Sequence, residues 1–474
     1  MSLSQTVDPL TSLRVVFPDF QQKLFNIIWY FGFVGCFIYF GLGISGTRFV
    51  GVGFSQELLS LEECIKIAIN QNPEVVRARL TWSASEVDVR TSRSDLLPQI
   101  SVSTGYNRSG EENTWYSNTK GIFKSKGSYS TDFFIRQTIF DTDLYARLRG
   151  SQQTEEIQEE SLREMEATII LKTTEDYYTL LRSKRLLEVR GAAQREREEN
   201  LRKTERLFQL GSASKADLLK SRVGVSQAKV ALVQAERELE NAKANLSLTM
   251  GYSPKGEQAG MPVLLEIVDD LGIVEKELPP LDQYLTFAEE KRPEISRERA
   301  RIRVAQSNLF AARGRFLPQV SLSWLYSYNG PDFPKTTDTW DEWDSWRLSL
   351  NATWDILPGY SRLTIVQRAS RDVATAHEDL RQQELRIALE VQSAYLALKE
   401  ALALLDLTLE TEAEAEESYK ASRARYGLGA ASILELMDAE VTLTGAQTRR
   451  IQSLYDYQIA KARLENAVGS SKWQ

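Results

Sequence analysis

The chain consists of two similar halves, and this internal repeat is the feature that most restricts its fold. Pro73 and Pro293 lie 220 residues apart, and so do Pro98 and Pro318. The first proline of each half is followed by glutamate. The second lies in a Leu-Pro-Gln sequence that leads into alternating apolar and polar residues. Self-similarity over such a long period indicates one duplicated structural unit, so the predicted architecture must contain its elements twice.

The two halves also match near their ends. Leu210 and Gly211 correspond to Leu428 and Gly429, which lie 218 residues later, so the register drifts by only two residues. The segment 252–280 is rich in glycine, proline and acidic residues, and we predict that it connects the halves. The expected organisation is a first repeat over 54–251, a second repeat over 281–469 and a short C-terminal tail over 470–474.

Within each half, a helix-forming segment ends at proline and a pair of strands follows. Residues 61–96 and 281–316 have the composition of a helix, which should stop before the Leu-Pro pair because the residue before proline disfavours the α region. The apolar side chains then alternate with period two, which predicts β-hairpins over about 98–141 and about 318–356. Each strand is expected to contain about 10 residues.

One face of these strands is apolar and the other is polar, which is typical of strands between lipid and a wet interior. A soluble β-sandwich is the alternative, although its strands are usually shorter and more numerous. Because an open sheet edge is costly in a membrane, four transmembrane strands would require an oligomer. The predicted lipid-facing residues are Phe133, Ile135, Trp324, Tyr326, Trp346, Leu348, Leu350 and Trp354.

After each hairpin the periodicity changes from that of a strand to that of a helix. The stretches from about Asp143 to Gln209 and from about Ser361 to Arg425 contain no proline and almost no glycine. Each therefore predicts a helix on the order of 100 Å long. Apolar residues recur at steps of three and four, which is the spacing of coiled-coil packing. The sequence thus predicts a mainly α fold with long coiled-coil helices and four β-strands.

Residues 1–53 are predicted to be a signal peptide or an N-terminal anchor region. Leu24 to Ile44 contain no charged side chain, a lysine precedes them, and small residues follow. This pattern is typical of a secretory signal, with cleavage expected after Ser45. A retained anchor is an alternative because the apolar run is long enough to span a membrane. Lipidation at Cys36 is a third possibility, and all three interpretations take the rest of the chain out of the cytoplasm.

The composition argues against several functional classes. The formal net charge of −7 and the pI near 5.3 do not suit a nucleic-acid-binding protein. The two cysteines, Cys36 and Cys64, are far apart, and the single histidine, His377, lies in a polar helical run that suggests a surface position. Neither a disulfide framework nor a metal site is indicated. We also find no phosphate-binding loop and no activated nucleophile, so no cofactor and no enzymatic activity are expected.

The order and spacing of these parts resemble the TolC-type outer-membrane efflux proteins. The resemblance covers about residues 55 to 470. It is also carried by LSLEECIKIAINQNPEV at 59–75, IFDTDLYARLRG at 139–150 and RYGLGAASILELMDAEVTLTGAQ at 425–447. It implies a homotrimer in which three chains contribute four strands each to one 12-stranded barrel in the outer membrane of a Gram-negative-type bacterium. The helices would form a tube across the periplasm.

The same resemblance implies a function. The chain would be the exit duct of a tripartite efflux pump or type I secretion system, and it would conduct substrates passively. Its partners would be a periplasmic adaptor (membrane fusion) protein and an inner-membrane pump. Residues 108–126 and 330–344 would be extracellular loops. The alternative function is a periplasmic coiled-coil adaptor or scaffold without its own pore, which would explain the long helices but not two matched amphipathic hairpins.

The resemblance also assigns the far ends of the long helices to docking. The two turns containing these ends would face the inner membrane and contact the adaptor. The residues implied are Leu210 and Gly211 in the first turn, and Leu428 and Gly429 in the second.

Acidic residues just after the turns are the implied pore constriction. Glu435 and Asp438 match family carboxylates at this place, and their spacing puts them on one face of a helix. In the first repeat Asp217 is the matching acid, but Lys220 occupies the position of Asp438. Three chains would form a ring of carboxylates that favours cations. The alternative is that these are ordinary surface acids near a helix N-terminus, where the helix dipole favours them.

Overall fold

The computed structural model describes residues 59–117, 121–253, 278–331, 333, 342–356 and 359–469. The predicted signal or anchor segment with Cys36, most of the connector, most of the predicted second loop and the C-terminal tail lie outside the described residues. Within the described residues, the same order of helices and strands occurs twice.

Each half consists of two helices, a β-hairpin, one very long helix and one shorter helix. The first half contains α1 (Leu61–Gln71), α2 (Pro73–Ser94), β1 (Gln99–Ser117), β2 (Gly121–Phe140), α3 (Thr142–Gln209) and α4 (Lys215–Thr249). The second half contains α5 (Leu281–Lys291), α6 (Pro293–Gly314), β3 (Gln319–Gly330), β4 (Asp344–Thr353), α7 (Ser361–Gly427) and α8 (Ile433–Val468). Helices α3 and α7 contain 68 and 67 residues, which corresponds to about 100 Å each. The predicted fold class is confirmed.

The helix predicted at the start of each half is divided into two. Asn72 separates α1 from α2, and Arg292 separates α5 from α6, with ψ angles of 125° and 123° in the extended region. Both residues precede a proline, which disfavours the α region at the residue before it. Proline is well tolerated at the first position of the helix that follows. The expectation of one continuous helix was therefore wrong at these two residues.

The described strands form one antiparallel sheet in the order β1-β2-β3-β4. Each strand lies next to one long or medium helix in the sequence: β1 to α2, β2 to α3, β3 to α6 and β4 to α7. These helices form a layer in which α2 packs against α3, α3 against α6, and α6 against α7. The sheet and this helix layer therefore have the same order. β1 and β4 are the two edges of the sheet, and α2 and α7 are the two ends of the helix layer.

The first hairpin has the predicted bounds, but its strands are longer than the predicted length of about 10 residues. β1 and β2 contain 19 and 20 residues, whereas β3 and β4 contain 12 and 10. The pairing is irregular between Arg108 and Asn113 but continues beyond this point, where Trp115 lies opposite Phe123. Most of the segment 108–126, which was predicted to be a loop, therefore belongs to the two strands, and its extracellular position stays a prediction. Beyond the irregularity, Trp115 and Tyr116 are adjacent in sequence, as are Ile122 and Phe123, so apolar side chains lie on both faces. The alternation that indicates a lipid-facing strand is therefore lost while backbone pairing persists.

Farther from the sheet, the long helices pack with the helices that return from the turns. α3 packs against α4, α7 against α8, and α8 against α3, which gives the order α4-α3-α8-α7. The predicted coiled-coil stripe of α4 is mostly buried against this layer. The apolar residues of α7 at steps of three and four include Val391, Leu405 and Leu409; the first two are buried, but Leu409 is 52% exposed. A straight α-helix has about 3.6 residues per turn, so residues repeated every seven positions drift gradually away from the side that packs. Nearer the C-terminal end of α7, the buried side is formed by Ala415 and Tyr419.

Two apolar clusters lie where the short helices α1 and α5 meet the long ones. The first includes Cys64, Ala68, Val75, Ile169, Tyr177, Leu181, Leu246, Met250 and Tyr455. The second includes Ala288, Ile295, Ile387, Val391, Leu398, Tyr457, Leu464 and Val468. Burial raises the pKa of the Cys64 thiol to about 12, so this cysteine stays protonated within the core. His377 is exposed. Among the described helices, none combines the length and apolar composition needed to cross a membrane.

Candidate functional site

The predicted lipid-facing residues form one band across the sheet. The cross-strand pairs are Phe133 with Tyr326, Ile135 with Trp324, Tyr326 with Trp346, Trp324 with Leu348 and Leu322 with Leu350. The rings of Phe133 and Trp324 meet edge to face with centroids 5.8 Å apart. On the edge strand β4, Leu350 is 69% exposed. The band therefore presents contiguous apolar side chains that the rest of the described chain does not cover.

The opposite face of the sheet is mostly polar, although Phe134 and Leu325 pair on it. The Ser327 hydroxyl donates a hydrogen bond of 2.5 Å to the Asp132 carboxylate. The guanidinium of Arg136 lies 5.2 Å from the centre of the Phe134 ring. This face suits contact with water, and the difference between the two faces agrees with the alternation in the sequence.

The first helix turn ends α3 with a glycine in the left-handed region. The Gly211 N–H donates to the Phe208 carbonyl over 3.0 Å, and the Ser212 N–H donates to the Leu207 carbonyl over 2.8 Å. These two bonds define a Schellman motif, which satisfies the last carbonyls of a helix. The φ angle of 75° at Gly211 is sterically costly for residues with a Cβ atom, so this position favours glycine.

The second turn repeats this geometry. Gly429 has a φ angle of 72°, and its N–H donates to the Tyr426 carbonyl over 3.0 Å. The residue before each glycine is strongly exposed: Leu210 by 78% and Leu428 by 85%. Each turn therefore offers one apolar side chain to a partner, at the place where the sequence predicts docking.

Asp217 is held within the first turn of α4. The Asp217 N–H donates to the Ser214 hydroxyl over 3.1 Å, and the Asp217 carboxylate accepts hydrogen bonds from the Ser214 hydroxyl and backbone N–H over 2.7 and 3.3 Å. This reciprocal arrangement is a capping box, which satisfies free N–H groups at a helix start. The structure therefore gives Asp217 a capping role at the helix start.

Glu435 has a different partner in the second copy. Ser432 still caps the helix, since its hydroxyl accepts from the Glu435 N–H over 3.2 Å. The Glu435 carboxylate instead accepts from Arg425 over 2.5 Å, and Arg425 also donates to the Ala430 carbonyl over 3.4 Å. Leu207 occupies the position of Arg425 in the first copy, so the first turn cannot form this ion pair. Sequence analysis did not single out Arg425.

Asp438 lies one helical turn beyond Glu435 and is exposed. Among the described residues, no cationic group lies within ion-pair distance of its carboxylate. The three predicted constriction acids therefore differ in their surroundings: Asp217 caps a helix, Glu435 pairs with arginine, and Asp438 faces solvent. Among the described residues, Glu435 is therefore the one of these three acids that has a cationic partner, and Asp438 is the one held by neither a cation nor a helix cap.

A buried ion pair lies above the turns and was also missed. Glu440 is 4% exposed and accepts from Arg197 Nε over 3.0 Å, while Arg197 Nη1 donates to the Gly224 carbonyl over 3.2 Å. These contacts join α8, α3 and α4. Burial raises the pKa of Glu440, and the Arg197 guanidinium opposes this rise. The available sequence signal was a charged residue at helical spacing from the buried Ile433 and Leu436.

A second polar contact joins α7 to α3 at a similar level. The Tyr419 hydroxyl donates to the Glu196 carboxylate over 2.6 Å, and Arg423 lies 3.6 Å from the same carboxylate. Burial, followed by the Glu196 charge, raises the pKa of Tyr419, so the hydroxyl remains a donor. Among the described residues, no group of three His, Cys, Asp or Glu side chains is arranged to hold a metal ion.

Comparison with known proteins identifies the family. The family model described as outer membrane efflux protein matches residues 64–252 and 285–470. The chain is 22% identical to the outer membrane protein TolC of Escherichia coli (strain K12) over 438 residues, covering 90% of this chain and 85% of TolC. It is also 22% identical to the alkaline protease secretion protein AprF of Pseudomonas aeruginosa, covering 87% of this chain and 84% of AprF.

The fold agrees with this assignment. A solved structure of the outer-membrane channel OprN superposes with a TM-score of 0.75 at 17% sequence identity, covering 87% of this chain and 91% of OprN. These comparisons give no support to the alternative of a periplasmic adaptor or scaffold. The family is one of passive transport channels. The chain therefore belongs to the outer membrane efflux protein family and is a protomer of an outer-membrane exit duct whose helices lie in the periplasm.

Proposed function

We propose that three copies of this chain form one duct, and that the duct passively conducts substrates delivered by a periplasmic adaptor and an inner-membrane pump. The observation that carries this proposal is the open sheet. β1 and β4 are both edge strands, and unpaired backbone groups at such edges are prohibitively costly within a bilayer. Pairing β4 of one copy with β1 of the next removes every edge once the ring closes.

The helices support the same head-to-tail arrangement. In the order α4-α3-α8-α7, the two end helices carry apolar stripes on the faces turned away from their neighbours. Each of these side chains is more than half exposed. On α4 they are Leu219, Val223, Val230 and Val233, and on α7 they are Leu385, Leu389, Leu396 and Leu407. Contact between α4 of one copy and α7 of the next would bury both stripes, as coiled-coil packing does.

The acidic side chains after the turns are proposed to form the constriction. In this chain Asp438 contributes a carboxylate that is free to face the aperture, because Glu435 is paired with Arg425 and the Asp217 carboxylate is held in a capping box. Three copies of Asp438 around a narrow aperture would favour cations over anions. The constriction is therefore expected to be less acidic than six free carboxylates would make it.

The two helix turns are proposed to dock the adaptor. Leu210 and Leu428 offer exposed apolar side chains at equivalent places, and Gly211 and Gly429 hold the backbone that presents them. The duct then opens when the inner helices untwist on docking. The relative AprF is by name an alkaline protease secretion protein.

The apolar band of the sheet is proposed to face outer-membrane lipid. Its residues are Phe133, Ile135, Trp324, Tyr326, Trp346, Leu348, Leu350 and Trp354. Aromatic side chains suit the membrane boundary, and the polar reverse face suits a water-filled interior.

Cysteine crosslinking tests the ring directly. Val233 lies 18 residues after the start of α4, and Leu407 lies 20 residues before the end of α7, so both lie about 30 Å from the turns. The double variant Val233→Cys/Leu407→Cys should crosslink into a ladder that ends at a trimer, whereas each single variant should give no ladder. A ladder ending at a dimer, or equal crosslinking of the single variants, would overturn the arrangement.

Single-channel recording tests conduction. The detergent-extracted protein should give small, mostly closed, cation-selective currents in a planar bilayer. Asp438→Asn should weaken the preference for cations. Unchanged selectivity in this variant would remove Asp438 from the constriction, and the absence of any currents would contradict the duct itself.

A further inference from the structure

The C-terminal end of α6 carries a second surface feature that the proposed duct does not use. Phe310 and Arg313 lie three residues apart near the end of α6, and Phe316 follows in the turn just after its last residue, where its N–H donates to the Arg313 carbonyl over 3.2 Å. The two phenylalanines are 45% and 42% exposed. Aromatic and cationic side chains thus alternate along a surface that adjoins the sheet.

Arginines from the two neighbouring helices lie over these rings. The Arg149 guanidinium on α3 lies 5.8 Å from the centre of the Phe310 ring, and the Arg362 guanidinium on α7 lies 5.9 Å from the centre of the Phe316 ring. Both distances suit cation–π contacts. We call these five residues, Arg149, Phe310, Arg313, Phe316 and Arg362, the arginine–phenylalanine patch.

Two of the three arginines are not neutralised. Arg362 pairs with Asp355 at 3.3 Å. In the part of the chain that the structure describes, no carboxylate lies within ion-pair distance of Arg149 or Arg313. The patch therefore presents two available guanidinium groups beside aromatic surface, a combination that suits an anion attached to an apolar body.

The patch lies directly below the apolar band of the sheet. The Trp354 indole N–H donates to the Phe316 carbonyl over 3.0 Å, and Trp354 continues the exposed apolar side of β4 beyond its last residue. A bilayer has about 5–7 Å of headgroup region on each side of its hydrocarbon core. One helical turn spans about 5 Å. The last turn of α6 therefore lies at headgroup depth if the band spans the core.

A neighbouring copy does not cover this surface in the proposed ring. α6 packs between α3 and α7, whereas copies meet at the outer helices and at the sheet edges. Lipid is therefore the partner that remains available to the patch at this depth.

The first half of the chain does not repeat the patch. Arg90, Arg93 and Leu96 at the end of α2 occupy the positions of Phe310, Arg313 and Phe316. The first half thus has arginines at a similar depth without aromatic rings. This difference supplies a matched control within the same molecule.

We propose that the arginine–phenylalanine patch binds the phosphodiester headgroup of an anionic phospholipid in the periplasmic leaflet of the outer membrane. Arg149 and Arg313 would donate hydrogen bonds to the phosphate oxygens, a geometry for which guanidinium groups are well suited. Phe310 and Phe316 would contact the boundary between headgroup and acyl chains. The proposal rests on the proposed placement of the apolar band in the bilayer.

Native mass spectrometry of the detergent-extracted full chain, titrated with phosphatidylglycerol or phosphatidylcholine, tests this proposal. The protein should retain phosphatidylglycerol in preference. Each arginine that the patch holds against the phosphate is expected to contribute about fivefold to binding, so Arg149→Gln/Arg313→Gln should weaken retention by about 25-fold. Arg90 and Arg93 have no aromatic rings at the matching positions to fix a headgroup beside them. Arg149→Lys/Arg313→Lys should keep part of the preference. The control Arg90→Gln/Arg93→Gln removes two arginines from the first half and should leave retention nearly unchanged.

Equal retention of the two lipids by the unmodified chain would overturn the proposal, and so would equal losses in the patch variant and its control. Single-channel currents of the same samples separate this failure from failure of the duct. A conducting protein without lipid preference contradicts the patch alone, whereas a protein that forms no channel contradicts the proposed function.

Discussion

The two helix turns have the same backbone but different charges. Gly211 and Gly429 have φ angles of 75° and 72° and close equivalent Schellman motifs. In the first copy the acid after the turn caps its own helix. In the second copy Glu435 pairs with Arg425 across the turn. The duplication has therefore preserved the geometry of the turn while its electrostatics have diverged.

This difference shows which parts of the turn are interchangeable. Backbone geometry depends on a glycine and on bonds between nearby residues, so both copies retain it easily. Charge depends on side chains that no backbone bond constrains, so Lys220 can occupy the position of Asp438 without disturbing the fold. The second turn is consequently the one suited to an acidic constriction.

The largest difference in stability between the two halves is expected a few residues beyond the turns, where Glu440 in α8 occupies the position of Arg222 in α4. Arg197→Ala would leave the Glu440 carboxylate buried without a counterion and should lower the free energy of unfolding by about 3–5 kcal/mol. Arg222 pairs with Glu205 through side chains that are 58% and 40% exposed. Arg222→Ala should therefore cost less than about 1 kcal/mol. Denaturant unfolding of the detergent-solubilised protein would measure both.

The pH dependence of this loss gives a further check. Burial raises the pKa of Glu440 in the folded protein above its usual value, and loss of Arg197 should raise it further. When the pKa of a carboxyl group is higher in the folded than in the unfolded protein, the free energy of unfolding falls as the pH rises from the unfolded pKa through the folded pKa. The deficit of Arg197→Ala should therefore shrink as the pH falls and Glu440 becomes protonated. Equal deficits at all pH values would contradict the buried pair.

The shared backbone predicts equal costs at the two turns. Gly211→Ala and Gly429→Ala would each place a Cβ atom in the left-handed region and should destabilise the protein by about 1–2 kcal/mol. Gly427 is the last residue of α7 and has open space around its Cα atom. Gly427→Ala is the control and should stabilise the helix by up to about 1 kcal/mol. The thermal unfolding midpoints of the variants would measure these effects. If only one of Gly211→Ala and Gly429→Ala lowered the midpoint, the two turns would not be equivalent.

The N-terminal caps of α4 and α8 should differ modestly in how much they stabilise their helices. Ser214 forms a reciprocal capping box with Asp217, whereas Ser432 receives one bond from Glu435 without a side-chain bond in return. Ser214→Ala should cost about 1 kcal/mol, and Ser432→Ala should cost less. Amide hydrogen exchange in the first turns of α4 and α8 would measure the two effects. A larger increase in exchange in α8 would reverse the proposed contrast.

Removal of Arg425 should have the smallest effect on stability but a visible effect on conduction. The side chains of the Arg425–Glu435 pair are 58% and 39% exposed, so the pair should contribute less than about 1 kcal/mol. Arg425→Gln would release the Glu435 carboxylate and should increase cation selectivity, measured as the reversal potential in a salt gradient. Lys229→Gln removes the same charge about 20 Å from the turn and should have little effect. An equal shift in the control would indicate an effect of net charge alone.

Much of the fold could be predicted from the sequence because its signals are local. The absence of proline over about 65 residues indicates α3 and α7, and the alternation of apolar residues indicates the outward face of β3 and β4. The register then confirms that Trp324 lies beside Leu348 on one face. Where the alternation ends, as beyond Arg108 in β1, the same signal predicts a strand that is too short.

The candidate site was only partly predictable. The sequence located both turns, since a glycine with positive φ is required by local geometry. It also located the acids Glu435 and Asp438, but it could not show that Arg425 takes Glu435 as its partner. That pairing depends on how the turn brings two helices together.

The repeated order of elements, the lengths of the long helices, the position of the turns and the apolar side of the strands can all be read from the sequence alone. These follow from periodicity and backbone preference over neighbouring residues. Two features come from the tertiary structure: Arg197 pairs with Glu440 across 243 residues, and arginines from α3 and α7 lie over the rings of Phe310 and Phe316. Such contacts depend on the packing of helices distant in sequence, and a long polar side chain has many possible partners until that packing selects one.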